Sequence, residues 1–65
     1  MGKIIAVHHI AVQYREEDNE EFGRLVGDSI VEIQNKGHYA EVHYSTSVAL
    51  RQIVLFALIV EREVE

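Results

Sequence analysis

The segment RQIVLFALIVER, residues 51–62, decides the fold of this chain. Every position from Ile53 to Val60 is apolar, so both faces of the segment are hydrophobic in strand geometry. Such runs are typical of a central β-strand covered on both sides, although a buried helix has the same pattern. Leu, Ala and Gln here suit a helix, whereas the frequent β-branched residues suit a strand. We favour the strand because an amphipathic helix elsewhere needs a sheet to cover.

Two further segments are predicted to be strands. Residues 3–14 are rich in Ile and Val and form the first predicted strand. Residues 38–47 form the second, because Ala40, Val42 and Tyr44 alternate with more polar neighbours. The central segment then becomes the third strand in chain order.

A helix is predicted between the first two strands, over residues 19–36. Phe22, Leu25 and Val26 begin an apolar stripe at helical spacing that continues to Ile33. Acidic residues crowd its start, where Asp18 stands three places before Glu21 as in a capping box. Lys36 and Gly37 follow as the basic last turn and the left-handed cap.

The element order is therefore β-α-β-β, and residues 1–65 are predicted to be a single α+β domain. The helix returns the chain, so the first two strands run parallel. The third runs antiparallel to both and fits between them, which gives a three-stranded antiparallel sheet in the order 1-3-2. The helix covers one face. We expect the open face to meet another subunit, because nothing else in the chain can cover it.

Size and charge limit the classes of function. Small domains usually need disulfides, a metal or self-association, and this chain of 65 residues has no Cys while 48% of it is hydrophobic. A homo-oligomer, a dimer or larger, is the prediction. The net charge of −5 argues against nucleic acid and an anionic membrane as partners. No signal peptide and no spanning segment is evident, so we expect a cytoplasmic protein.

Two adjacent histidines stand in the first strand. Neighbours along a strand point to opposite faces, so His8 and His9 do not chelate one metal ion, and no metal site is predicted. We expect His8 to face the helix and to need a hydrogen-bond partner. His9 shares the open face with His43, about 10 Å away across the central strand. That separation suits a planar ligand or a symmetry mate, and the alternative is that both are ordinary interface histidines.

Three hydroxyl residues, 45–47, are expected to lie between the last two strands, with Arg51 just beyond. Hydroxyls, turn amides and a guanidinium can together hold an anion or phosphate. His43 and Tyr44 are placed to stack on a base or to hydrogen-bond a sugar. The alternative is that Ser and Thr only cap a hairpin turn. The candidate ligand-binding residues are His9, His43, Tyr44, Ser45, Thr46 and Arg51.

Two other patterns have simpler explanations. Gly23 and Gly27 lie one turn apart in the predicted helix, where each costs about 1 kcal/mol relative to Ala, so we expect the sheet, another helix or a ligand to approach the backbone there. Ser45, His43 and Glu41 share one face of one strand. Nothing in the sequence marks a strained nucleophile or an oxyanion hole. We therefore predict no enzyme activity and no cofactor.

The segments AEVHYSTS (residues 40–47) and FALIVERE (residues 56–63) resemble a family of very short sporulation proteins of unknown function, found in Bacillus and its phages. The resemblance spans most of the chain and implies the same succession of strand, acidic helix start and two strands. It brings no catalytic residues. The strand order is also similar to that of the dodecins, small flavin-storing oligomers. Their ring-stacking tryptophan has no counterpart in this chain, which contains no Trp.

Two functions from different classes follow as predictions. The first is a non-enzymatic homo-oligomer that binds or sequesters a small nucleotide-like anion in pockets between subunits. Phage proteins of this size that trap a host nucleotide immune signal fit this description. The second is a purely structural or partner-binding oligomer, in which the same residues only complete the interface.

Overall fold

The computed structural model describes residues 2–15 and 19–64. Its elements are β1 (Ile4–Gln13), α1 (Glu20–Asn35), β2 (Tyr39–Ala49) and β3 (Gln52–Arg62). The strands form one sheet in the order β1-β3-β2, and both pairings are antiparallel. The predicted α+β class, element order and strand order are confirmed.

The central strand β3 is paired along almost its whole length on both sides, so the helical alternative for this segment is excluded. Each of its faces carries at least one buried side chain. Ala57 and Ile59 face α1 and are 2% and 0% exposed, and Val60 on the opposite face is 7% exposed. A strand that is apolar on both faces is most stable in the middle of the sheet, where least of its apolar surface contacts water.

The hydrophobic core lies between α1 and the sheet. Val26 and Ile33 on the helix pack with Ala57 and Ile59 on β3. Partly buried apolar side chains from β1, α1 and β2 surround these four residues: Ile10, Phe22, Ile30, Ala40 and Val42. The residues that face the helix on β2 are therefore those predicted from strand alternation.

The helix ends where the sequence predicts. Gly37 has φ +78°, and its N–H donates to the carbonyl oxygen of Gln34 at 2.9 Å. At the other end Asn19 precedes the first helical residue, but its side chain makes no capping hydrogen bond. The capping box predicted from Asp18 lies outside the described residues. α1, the one helix in the described part of the chain, lacks the length and apolar character needed to cross a bilayer.

The strands extend well beyond the helix that covers them. The eleven-residue β2 is about 37 Å long, whereas the sixteen-residue α1 is about 24 Å long. α1 ends next to the start of β2, so its cover runs out near Tyr44. Residues 47–53 project beyond it as a two-stranded hairpin that we call the arm. The molecule is accordingly elongated, with extents of 43 × 19 × 12 Å.

The turn of the arm lies at Leu50 and Arg51, which corrects the predicted position. Residues 45–47 were expected in this connection, but they lie inside β2 and pair with residues 54–56 of β3. Ser and Thr are accepted on an edge strand, and continuing the ladder to Ala49 pairs more of the backbone. The predicted cradle of hydroxyls and free turn amides therefore does not exist at these residues.

Both turn residues have positive φ, 50° at Leu50 and 65° at Arg51. This is the pattern of a two-residue type I′ hairpin turn, which usually contains Asn-Gly. For other L-residues the left-handed region costs roughly 1–2 kcal/mol each. The tip of the arm therefore keeps a strained conformation with residue types that the turn does not favour.

The sheet does not approach the backbone at the helix glycines, so that form of the prediction is wrong, whereas approach by another helix or a ligand stays a prediction. A Cβ built at Gly23 or at Gly27 meets nothing within 4 Å. The two glycines lie on a part of α1 that faces open space, because the apolar stripe beside them already occupies the sheet. Gly2 is the crowded position, where a Cβ would overlap the carbonyl oxygen of Glu63.

We expect Gly23→Ala and Gly27→Ala each to raise the free energy of unfolding by about 1 kcal/mol, because Ala lowers the entropy cost of the helix and meets no steric obstacle. Urea unfolding monitored by circular dichroism measures the change. Gly37→Ala is the matched control and should destabilise, since this residue has φ +78°. A loss of stability at Gly23 or Gly27 would show that another molecule packs against that part of the helix.

Candidate functional site

The structure distributes the six candidate residues over three places. Residues 44–46 lie together in β2, beside a cleft at the N-terminal end of α1. His9 and His43 lie on the open face of the sheet. Arg51 stands at the tip of the arm. One chain therefore brings three of the six together and leaves the other three apart.

The cleft is mainly apolar and has a volume of about 290 Å³. The rings of Phe22 and Tyr44 lie at one end, with centroids 6.2 Å apart and planes inclined by 60°. Tyr44 remains 65% exposed, so much of its ring is accessible to a ligand. The cleft is lined by Phe22, Tyr44, Ser45, Thr46, Leu55 and Phe56.

This composition suits a flat, partly apolar ring with polar edges. Aromatic side chains stack on such a ring, and the hydroxyl of Thr46, on the same side of β2 as Tyr44, can donate to or accept from its edge atoms. The cleft is shallow, and its volume lies at the lower end of the ~300–1,000 Å³ usual for ligand pockets. A ligand bound here would need a further wall to be enclosed.

The two open-face histidines form a row with the central strand. His9 and His43 both pair with Leu58, from opposite sides, which places them two strand spacings or about 10 Å apart. This agrees with the alternation used for the prediction. His43 donates from Nε2 to Oε2 of Glu41 at 2.5 Å, and Arg62 Nε donates to Oε1 of the same carboxylate at 3.2 Å.

These contacts hold the pKa of Glu41 below its ordinary value, first through the hydrogen bond from His43 and further through Arg62. The network occupies one end of the open face. His43 is therefore already engaged by a carboxylate. His9 is exposed and has no hydrogen bond or ion pair with another residue in ranges 2–15 and 19–64.

Arg51 is not among the residues that line the cleft of its own chain. The hairpin reverses at Leu50 and Arg51, and Arg51 stands four positions before Leu55, the partner of Thr46, which is about 13 Å along the strand. The Arg51 side chain is exposed, and it makes no ion pair with any residue that the structure describes. It is thus an unpaired guanidinium carried away from the cleft by the arm.

Sequence reasoning missed a buried carboxylate, Glu61, which is 2% exposed on the helix side of β3. His8 donates from Nε2 to its Oε1 at 3.1 Å, and His38 donates from Nδ1 to its Oε2 at 2.5 Å. The Nζ of Lys36 lies 3.9 Å from Oε1. Three cationic or donor groups from β1 and from the segment after α1 therefore meet one carboxylate.

His8 has the hydrogen-bond partner that the sequence predicts it to need, and this partner lies on β3. The hydrogen bonds from His38 and then His8 hold the pKa of Glu61 below its ordinary value. One signal was present in the sequence, since Glu61 falls in phase with the inward residues Ala57 and Ile59. Among the described residues no group of three or more His, Asp or Glu is arranged to hold a metal ion.

Comparisons with known proteins do not assign a family. No protein-family model matches the sequence, no curated protein is significantly similar to it, and no solved structure is significantly similar to its fold. The resemblance to the sporulation proteins and the dodecins therefore stays a prediction. The geometry of the cleft and of the arm carries the functional reasoning.

We expect Glu61→Gln to reduce the pH dependence of stability in acid. The folded pKa of Glu61 lies below the ordinary 4.5, so its stabilisation is present above that value and is lost as pH falls through the folded pKa. The urea midpoint of the parent protein should therefore decrease below pH 4.5, and the variant should lose part of this decrease.

Glu32→Gln is the matched control, because it removes one exposed helix carboxylate from the same chain. Glu41, whose pKa is also lowered, contributes a remaining slope of the same sign in both variants. If Glu61→Gln and the parent lost stability in parallel between pH 5 and pH 3, a range that brackets the ordinary 4.5, the assigned role of Glu61 would be wrong.

Proposed function

We propose that this protein is a non-enzymatic homo-oligomer that binds a small nucleotide-like ligand, with the ring of the ligand in the cleft beside Phe22 and Tyr44. The observation that carries the proposal is the cleft itself, in which the exposed aromatic ring of Tyr44 adjoins the hydroxyl side chain of Thr46. A nucleobase offers the planar face and the polar edges that these groups recognise.

The phosphate of such a ligand needs a local cation. The chain has a net charge of −5, so its overall field repels anions. Arg51 is exposed, has no ion pair with a described residue, and lies at the same end of the sheet as the cleft. Its planar guanidinium matches phosphate oxygens in a bidentate manner.

The arrangement of the candidate catalytic groups favours a binding function over an enzymatic one. Glu41 and His43 are hydrogen-bonded, but Ser45, two residues further on the same face, has no hydrogen bond to His43. The second imidazole–carboxylate cluster, around Glu61, lies at the other end of the helix from the cleft. We therefore assign storage or sequestration, and trapping of a host nucleotide signal by a phage protein is the finer form of the same proposal.

A thermal-shift series tests the ligand class. Adenosine, AMP, ATP, cyclic mono- and dinucleotides and FMN are each added to the purified protein. A ligand at a hundred times its Kd should stabilise the protein by about 2.7 kcal/mol. We expect Tyr44→Ala to remove the shift with every ligand, since it removes the ring that stacks on the base.

Arg51→Ala separates the phosphate from the base. It should weaken AMP and leave adenosine nearly unchanged, because only the nucleotide carries the anion that the guanidinium binds. Arg24→Ala is the control, since it removes the same charge from an exposed position on α1. Absence of a shift with all of these ligands at concentrations up to about 1 mM would overturn the proposal. A Kd of about 1 mM corresponds to a binding free energy of about −4.1 kcal/mol.

The second candidate is a structural or partner-binding oligomer, and the open face of the sheet favours it. Ile5, Val7 and Phe56 are 44%, 46% and 37% exposed on that face. Apolar side chains at this density are usual where another protein packs. In that case the ligands above give no shift, whereas Val7→Asp converts the oligomer to a monomer.

A further inference from the structure

The arm has one apolar side, and α1 does not reach it. Val48 and Ile53 pair across the two strands on the helix side and are 73% and 39% exposed. Leu50 at the tip is 96% exposed, more than any other large hydrophobic side chain in the described residues. The opposite side carries Ser47 and Gln52. The arm is therefore an amphipathic hairpin that none of the described residues outside it covers on its apolar side.

We propose that two copies of this chain pack their arms antiparallel about a two-fold axis, so that each tip closes the cleft of the other copy and brings Arg51 to it. Val48 then lies near the axis and faces its own symmetry mate. Leu50 lies opposite Thr46 of the second copy. Such an isologous contact is self-complementary, because the same patch serves both copies.

The dimension of the arm matches this arrangement. The tip and the cleft lie on the same hairpin, about 13 Å apart. Two identical hairpins that pack antiparallel place each tip at the base of the other. The apolar cleft residue Leu55 and the tip residue Leu50 then face each other, and Arg51 of the second copy reaches the hydroxyl of Thr46.

The chain exposes more surface than a compact monomer of its mass, and the excess is close to the area that one partner buries in a dimer. The chain exposes 5021 Å², whereas a compact monomer of 7.5 kDa exposes about 4,250 Å². The excess, about 800 Å², is close to what one partner buries in a standard protein interface. The radius of gyration, 13.4 Å, likewise exceeds the roughly 11 Å of a compact chain of this length.

The composition of the turn supports the same occupant. A type I′ turn is satisfied by Asn-Gly, yet this chain has Leu50 and Arg51, both with positive φ. A strained backbone that presents a large apolar and a cationic side chain to solvent is explained when both side chains are used by a partner. The cleft of a second copy offers an apolar wall for Leu50. With a nucleotide bound, it also offers an anion for Arg51.

The dimer is tested without ligand, so that absence of the dimer is distinguished from absence of nucleotide binding. Only the role of Arg51 rests on the proposed function. Sedimentation equilibrium of the full chain measures the dimer Kd. Leu50→Asn should raise it at least a hundredfold or so, because each dimer loses two buried Leu side chains. The variant should also melt at higher temperature as a monomer, since Asn tolerates the left-handed region. Val31→Asn, 53% exposed on the outer side of α1, is the control and should leave the Kd unchanged.

Cross-linking locates the contact. The chain has no Cys, so Val48→Cys introduces a single thiol near the proposed axis. A bis-maleimide with a spacer of about 10 Å, the distance between packed sheet faces, should join two Val48→Cys chains into a covalent dimer. Val7→Cys places the thiol on the open face and should not react this way. Cross-linking at Val7 without cross-linking at Val48 would overturn the arm contact.

A mixing experiment tests whether both copies build one site. Tyr44→Ala and Arg51→Ala each impair nucleotide binding, but in a mixed dimer one of the two sites has both residues. Random mixing of equal amounts should restore about a quarter of the sites, measured by calorimetric titration with the best nucleotide from the thermal-shift series. No recovery despite a mixed dimer would place Arg51 outside the site. Dimerisation without nucleotide binding in the parent would retain the arm contact and remove the proposed function.

Discussion

The double ladder on β3 is the constraint on which the rest of the structure depends. Once β1 and β2 both pair with this strand, the register decides which side chains share a face. Ile59 then lies between His8 and Val42 under the helix, and Leu58 lies between His9 and His43 on the open side. Every candidate site is a consequence of this register, because no loop of the described chain folds back over the sheet.

The two ends of the sheet differ in their side chains. A buried cluster of charged and polar side chains lies at one end, and exposed apolar side chains lie at the other. At the end where α1 stops, the carboxylate of Glu61 is buried, which is costly unless its oxygens are fully paired. His8 and His38 supply one hydrogen bond to each oxygen, and Lys36 adds a nearby charge. These contacts join β1, β3 and the segment after the helix. At the arm end the exposed side chains of Leu50 and Val48 are apolar.

Much of the fold could be predicted from the sequence, because it depends on local pattern. The both-sided apolar run of β3, the helical stripe from Phe22 and the cap at Gly37 each indicate their structure directly. The turn at Leu50 and Arg51 could not be predicted, since neither residue favours positive φ. The carboxylate cluster was missed for another reason: His38 and Glu61 meet across 23 residues, and only the strand register makes them neighbours.

The site was only partly predictable because its six residues do not form one surface in one chain. Strand alternation correctly placed His9 and His43 on the same face of the sheet, yet these two residues lie away from the cleft that contains Tyr44. If Arg51 reaches that cleft only from a second copy, ligand binding and dimerisation are thermodynamically linked. The ligand must then tighten the dimer by the same factor by which dimerisation tightens ligand binding. A small chain with one helix could in this way gain a two-walled pocket without a larger core.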